Sequence, residues 1–357
     1  MNPEIPEKMK AAVLFDYNDV RLTDRPVPEP GPDEALVKIH TCGVCAGDIK
    51  MITRGMLKQP PFGEFIIGHE YAGTIVALGE TVDEFAVGDR VTVEVHKGCG
   101  RCRNCLLGKY TLCLNYGNIA KGHRANGFTT MGGFAEYAVN HVNTLHKIPD
   151  SISFEEASTV TISGTAIHAI DEAGGILPGD TVAVLGPGAI GLMCVQAAKA
   201  FGAGRVILTG TRDERLELGM KMGADEIINV KREDPVARMT ELTGGAGPNL
   251  VLVTAGVNES LQQAIEMSHR GGDIVYLAHV DDPITVDMGL AVQKGNNVYT
   301  VRGEGKMSVD QALALMQQNR IQAKPLITHS FPLDQINEAI DTFVERREGA
   351  IKVLVHP

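Results

Sequence analysis

TVAVLGPGAIGLMCVQAAKAFGA, residues 181–203, decides the fold. A β-branched apolar run, Thr181 to Leu185, ends in a glycine-rich turn that opens into a helix-patterned segment. Gly186, Gly188 and Gly191, with Ile190 inside the motif, give G-x-G-x-x-G. The first glycine makes the turn, the second lets the backbone approach a pyrophosphate, and the third lets helix and strand pack closely. The pyrophosphate then rests on the helix N-terminus, where free N–H groups and the dipole favour an anion. Such a motif alone is weak, and a tight turn without ligand is the competing reading. Here the strand, the helix and a further strand, RVILTG (205–210), stand in register, which is the start of a dinucleotide-binding domain.

The end of that second strand chooses the cofactor. NAD binders place Asp or Glu there to hold the ribose 2′-hydroxyl. This chain has Gly210, Thr211 and Arg212. Glycine leaves room, Thr211 offers a hydrogen bond, and Arg212 can pair with or stack over an adenosine 2′-phosphate. Asp213 and Glu214 follow at a helix start, where they also serve the dipole. NADP is expected, with NAD as the alternative; the bland reading of Arg212 is a solvated surface arginine.

Working outward, strand and helix alternate through EIINV, NLVLVTA, a helix near ESLQQAIEMSHR, and GGDIVYLA. Apolar runs without polar alternation indicate strands covered on both faces, hence a parallel sheet in an α/β fold. The first third instead reads as short strands between Gly/Pro turns: MKAAVLF, EALVKIH, YAGTIVALG and GDRVTVEV. After VDQALALMQQN and LDQINEAIDTFVERR, both helical, the apolar AIKVLVHP is expected to return to an existing sheet. The expected division is 1–158 for the first domain, 159–301 for the cofactor domain, and 302–357 returning to the first. NNVYTVRG is the candidate edge for pairing across a two-fold axis.

The chain has 357 residues and a net charge of −11, which argues against nucleic acid or an anionic membrane as main partner. No apolar run approaches the roughly 18 residues of a membrane span, and MNPEIPEKMK lacks a signal-peptide core. A cytoplasmic address is expected. Seven cysteines in a reducing compartment point to metal ligands or catalytic thiols rather than a disulfide framework. CGRCRNCLLGKYTLC spaces Cys99, Cys102, Cys105 and Cys113 so that four thiolates can close a tetrahedral zinc shell, a structural site without an open position. An iron–sulfur cluster is the competing reading, disfavoured because nothing else in the sequence demands an electron relay.

Taken together, CGVCAGD (42–48), GHEYAGTIVALG (68–79), GDRV (88–91), the four-cysteine lobe (96–114), GGFAEY (132–137) and GPGAIG (186–191) resemble the zinc-containing medium-chain dehydrogenase/reductase family. The resemblance runs over essentially the whole chain and is nearest the sorbitol, threonine and polyol dehydrogenase branch. It implies a GroES-like β-rich catalytic domain, a Rossmann doubly wound domain, and a homodimer or homotetramer. Carried over residue by residue, it implies a catalytic zinc on Cys45, His69 and Glu70, with Asp48 orienting His69, and hence two zincs per chain. An ion with an open position would polarise a carbonyl or acidify a bound alcohol, allowing hydride transfer with the nicotinamide. The implied substrate is a small secondary alcohol, polyol or the matching ketone.

Three positions depart from the family. Gly47 stands where a Ser or Thr usually passes on the alcohol proton, Lys50 where many members have a histidine, and Thr161 where many have Cys or Glu. One reading keeps the zinc and routes the proton through Thr161 or Lys50. Another is reduction of an activated C=C bond, which needs no such relay, and a third is a non-enzymatic dinucleotide-binding protein. A redox-active Cys42/Cys45 pair is a weaker idea, since it lacks a thioredoxin-like context. Lys306 lies where polyol-dehydrogenase relatives carry a substrate-facing arginine, and with Lys50 would make the pocket cationic; two solvated lysines is the plain alternative.

Overall fold

The computed structural model describes residues 5–280 and 282–357, which divide into two compact units. The first comprises residues up to Thr161, Gly305–Gln317 and Ala323–Pro357; the second is Ile162–Glu304 with Gln318–Gln322. Those last five residues stay with the second unit where Gln196 bonds both ways to Gln322, its amide donating to the carbonyl at 3.0 Å and its oxygen accepting from N–H at 2.8 Å.

In the first unit the chain runs β1 (Lys8–Asp16), β2 (Asp19–Pro26), β3 (Glu34–Val44), α1 (Ala46–Arg54), β4 (Phe65–Ile66), β5 (Glu70–Leu78) and β6 (Arg90–Val93). It continues through β7 (His96–Lys97), α2 (Arg103–Leu106), β8 (Arg124–Ala125), β9 (Tyr137–His141), β10 (Leu145–Lys147) and α3 (Phe154–Ala157). The helix α4 (Val160–Glu172) then leads into the second unit.

The second unit alternates β11 (Thr181–Leu185), α5 (Ala189–Ala200), β12 (Arg205–Gly210), α6 (Asp213–Lys221), β13 (Glu226–Asn229), α7 (Pro235–Leu242) and β14 (Leu250–Val253). It closes with α8 (Ser260–Met267), β15 (Asp273–Tyr276), α9 (Met288–Lys294) and β16 (Asn297–Thr300). Its six strands lie in the order β13-β12-β11-β14-β15-β16, all parallel. The order reverses beside β11, the switch point where such sheets bind ligands outside their carboxyl ends. Ala183, Leu185, Ile207, Val251 and Ile274 are buried in the core here, as the non-alternating apolar runs require.

The chain then returns to the first unit through α10 (Ser308–Gln317), β17 (Ile327–Pro332), α11 (Ile336–Glu345) and β18 (Lys352–His356). The main sheet of that unit has the order β10-β6-β5-β3-β18-β17, with β9 also on β3. The terminal strand thus joins an existing sheet, antiparallel to the end of β3. Three strand ends converge: Gly43 pairs with Glu70 of β5, while Val44 pairs with Val353 of β18. No helix among the described residues is long and apolar enough to cross a membrane.

Candidate functional site

The convergence of β3, β5 and β18 builds the first site. Cys45 follows the last residue of β3 and caps α1, placing its sulfur at the positive end of a helix. Glu70 opens β5, with His69 just before it. The ligand atoms of Cys45, His69 and Glu70 lie within 4.8 Å of one another.

Asp48, fully buried in the first turn of α1, organises this cluster. It accepts from the Cys45 N–H (2.9 Å), the Gly68 N–H (3.2 Å) and His69 Nδ1 (3.0 Å). With Nδ1 committed, Nε2 is the nitrogen left to face an ion. Burial lowers the proton affinity of His69, but Asp48 and the Cys45 sulfur more than offset it, holding the imidazole well above its ordinary pKa. Thiolate, imidazole and carboxylate are zinc donors, and three of them leave a fourth position open.

The sequence reading missed the fourth member of this cluster. Lys352, the first residue of β18, is 2% exposed; its ammonium lies 2.5 Å from Glu70 Oε2 and donates to the Val44 carbonyl at 3.3 Å. Burial opposes its charge, but Glu70, then the Cys45 sulfur and Asp48, outweigh burial and raise its pKa. The available signal was a lysine inside an otherwise apolar terminal strand, a residue type rarely fully buried unless paired.

Gly47 faces His69 and Phe128. A Cβ on Gly47 would stand 3.1 Å from His69 Cε1 and 3.1 Å from Phe128 Cζ, and the two rings lie 4.5 Å apart by their centroids. The position without a hydroxyl is therefore walled by an aromatic ring. Lys50 is half-buried on α1, and Thr161 is buried at the start of α4. Lys306 is exposed and takes a left-handed backbone (φ 55°); its carbonyl accepts weakly from the Tyr110 hydroxyl at 3.4 Å.

The second cluster gathers Cys99, Cys102, Cys105 and Cys113 within the same 4.8 Å limit. All seven cysteines are free. Backbone N–H groups of Cys99 and Asn115 point at Cys113 Sγ (3.4 and 3.3 Å), and the Asn115 amide donates to Cys99 Sγ at 3.2 Å. The Asn115 amide, with the Arg101 backbone N–H, pulls Cys99 down to about 6. At Cys99 the donors favour thiolate, the form that binds metal, whereas burial wins at Cys105 and Cys113 and pushes both thiols up. Tyr110, inside this lobe, donates to Glu94; Glu94 also receives His146 Nε2 at 3.2 Å, and His146 Nδ1 reaches Asp310 at 2.8 Å.

In the second unit the glycine turn follows β11. Gly186 has φ 109°, and a Cβ on Gly191 would stand 1.9 Å from the Gly186 carbonyl, so both positions demand glycine. Thr254 Oγ1 ties the turn from β14, reaching the carbonyls of Leu185 (2.9 Å) and Gly186 (2.8 Å). Around Gly188, the N-cap of α5, an added Cβ would meet nothing within 4 Å. No packing demands glycine there, and the open space before the free N–H groups of α5 suits a phosphate. Ile190 lies in the first turn of α5.

At the tip of β12, Gly210 is buried against Pro187, Thr211 is exposed, and Arg212 is half-buried as the N-cap of α6. Asp213 is turned to other work: it accepts from the Asn229 amide at 2.7 Å and pairs with Arg232.

Comparison with known proteins follows this division. The model of the alcohol dehydrogenase GroES-like domain matches residues 31–150, and that of the zinc-binding dehydrogenases matches 189–318. Sorbitol dehydrogenase of Bacillus subtilis is 32% identical over 365 residues, covering 100% of this chain and 99% of the relative. L-threonine 3-dehydrogenase of Aeromonas hydrophila is 32% identical, covering 92% and 94%. Among solved structures, a putative zinc-binding dehydrogenase of Sinorhizobium meliloti bound to NADP superposes with a TM-score of 0.90 at 28% identity, covering 99% of this chain and 100% of that one.

Proposed function

The chain belongs to the zinc-binding, GroES-like alcohol dehydrogenase family, and on that premise we propose that Cys45, His69 and Glu70 hold its catalytic zinc. It is a zinc-dependent oxidoreductase of alcohols or polyols. The observation that carries the proposal is the convergence of those three donors around Asp48, which accepts from the Cys45 N–H, the Gly68 N–H and the His69 imidazole. We extend it to a second, structural zinc on Cys99, Cys102, Cys105 and Cys113, where amide donors already face the sulfurs.

Zinc in the first cluster supplies Lewis acidity toward a carbonyl or hydroxyl oxygen, and the nicotinamide supplies or accepts hydride. The chain's part is to hold and orient. Asp48 fixes the His69 tautomer, the N-terminus of α1 carries Cys45, and the Phe128 ring fills the space beside Gly47. With no hydroxyl at Gly47, proton handling is assigned to the half-buried Lys50 and the buried Thr161.

NADP is the proposed cofactor. Its support is that Asp213, the nearest carboxylate past β12, is engaged by Asn229 and Arg232, while Thr211 and Arg212 remain at the tip. The exposed residues Asn297, Val298 and Thr300 on edge strand β16 support a homodimer joined strand to strand. Seven unpaired thiols support a cytoplasmic address.

The test is metal content per chain by mass spectrometry, for the protein and for Cys45→Ser. Two zincs falling to one in the variant is expected. One zinc in both would leave the metal in the four-cysteine lobe alone and refute the catalytic assignment.

A further inference from the structure

The Lys352–Glu70 pair is built into the backbone rather than gathered by flexible side chains. Glu70 and Lys352 open the two strands that flank the end of β3, and they meet across Gly43. A Cβ on Gly43 would stand 2.8 Å from Glu70 Oε2 and 3.4 Å from Lys352 Cδ. Glycine at that position leaves the room in which the pair forms. Both partners are almost completely buried, at 2% and 1% exposure, so the ammonium sits in the interior only because a carboxylate is there.

The same carboxylate belongs to the Cys45, His69 and Glu70 cluster, so two cations share it. A metal with Cys45 and Glu70 alone would have its charge cancelled. Lys352 adds a positive charge back and keeps Oε2 of that carboxylate engaged. We propose that Lys352 is a positioning residue that competes with the catalytic metal for Glu70. In the metal-free chain it stands in for the ion and keeps Glu70 paired; in the loaded chain it withdraws charge from the carboxylate and leaves the metal a harder Lewis acid, held less tightly. This inference rests on the ligand set proposed above. It also gives a reason that a site lacking the hydroxyl at position 47 can still acidify an alcohol.

The experiment measures zinc affinity by competition with a chromophoric chelator, taking Cys45→Ser as the reference for the four-cysteine lobe. Thermal unfolding of the metal-free proteins is followed alongside. For Lys352→Met, catalytic-site affinity should rise at least tenfold while the metal-free protein unfolds at lower temperature, and Lys352→Arg should restore both. If Lys352→Met folds only with zinc present, the stand-in role is supported in its strongest form. If it does not fold at all, Lys352→Gln, which keeps a hydrogen-bond donor without charge, is read in its place. Unchanged or weaker zinc binding in these variants overturns the inference and leaves Lys352 a packing residue. If Cys45→Ser binds as much zinc as the unaltered chain, the ligand assignment itself fails, which is a different result.

Discussion

His146 gives the most sharply signed prediction. Its two ring nitrogens face two carboxylates, Glu94 at 3.2 Å and Asp310 at 2.8 Å. Both can be donors only in the imidazolium. Burial lowers its pKa, but the hydrogen bonds and charges of Asp310 and Glu94 win and raise it to about 9 from an ordinary 6.5. The folded form therefore holds the proton more tightly than the unfolded chain. The stabilisation is fully present below about pH 6.5 and is lost as pH rises through about 9. At about 1.4 kcal/mol per tenfold in proton affinity, that gap corresponds to about 3 kcal/mol. The perturbation is His146→Gln, which cannot take the charge. Denaturant unfolding of the first unit's transition, at steps from pH 6 to pH 10, should show the variant less stable by about 3 kcal/mol at the acid end. The deficit should shrink towards zero above pH 9.5. A deficit that does not change with pH would refute the reasoning, because it would mean the histidine acts by packing alone.

Two further outcomes test the other sites. Arg212→Asp should raise the KM for NADPH by ~10- to 100-fold, the worth of one charge-assisted contact to a phosphate, and favour NADH; unchanged steady-state constants for both cofactors would place Arg212 in solvent. Gly47→Ser, which restores the family hydroxyl, should not raise activity: its Cβ would meet both His69 and Phe128 at 3.1 Å, an overpacking cost of ~1–3 kcal/mol. Zinc per chain should fall in that variant and recover when Phe128→Ala is added; full zinc in the single variant would show that the wall gives way.

What the sequence made legible is what depends on neighbours along the chain. The turn at Gly186 to Gly191 is dictated locally by one positive φ and one close approach, and the apolar β-runs of the parallel sheet carry their own pattern. The four cysteines lie within one short lobe, so their spacing reports their convergence. β17 and α7 are among the elements that escaped. β17, ITHSFP, buries alternate residues only partly, because it is the outer strand of its sheet and Thr328, His329 and Ser330 give it a polar run. α7 is a short helix with Pro235 in its first turn, capped by Asp234. Long-range pairs were beyond reach. Lys352 and Glu70 are 282 positions apart, and His146 and Asp310 are 164 apart. No periodicity encodes such a partner; the sheet order brings β18 beside β3, and the return of the chain to this unit brings Asp310 of α10 to His146 of β10.

The glycines of the first site carry the deeper lesson about departures from a family pattern. Read as residues, Gly43 and Gly68 belong to the motifs that carry the family resemblance, and Gly47 alone of the three looks like a place where chemistry has been lost. In the folded chain each is a place where something else is admitted. Gly43 admits the Lys352–Glu70 pair, and Gly47 admits the Phe128 ring against His69. Gly68, at φ 97° with Phe134 and Cys42 within about 3.0 Å of where its Cβ would be, lets the backbone turn so that its N–H reaches Asp48. Position 47 carries no hydroxyl, and across position 43 the Lys352 ammonium meets Glu70. A site that loses a proton-passing group while keeping its metal donors must lower the cost of deprotonation by another route, and a buried cation against one of those donors is such a route.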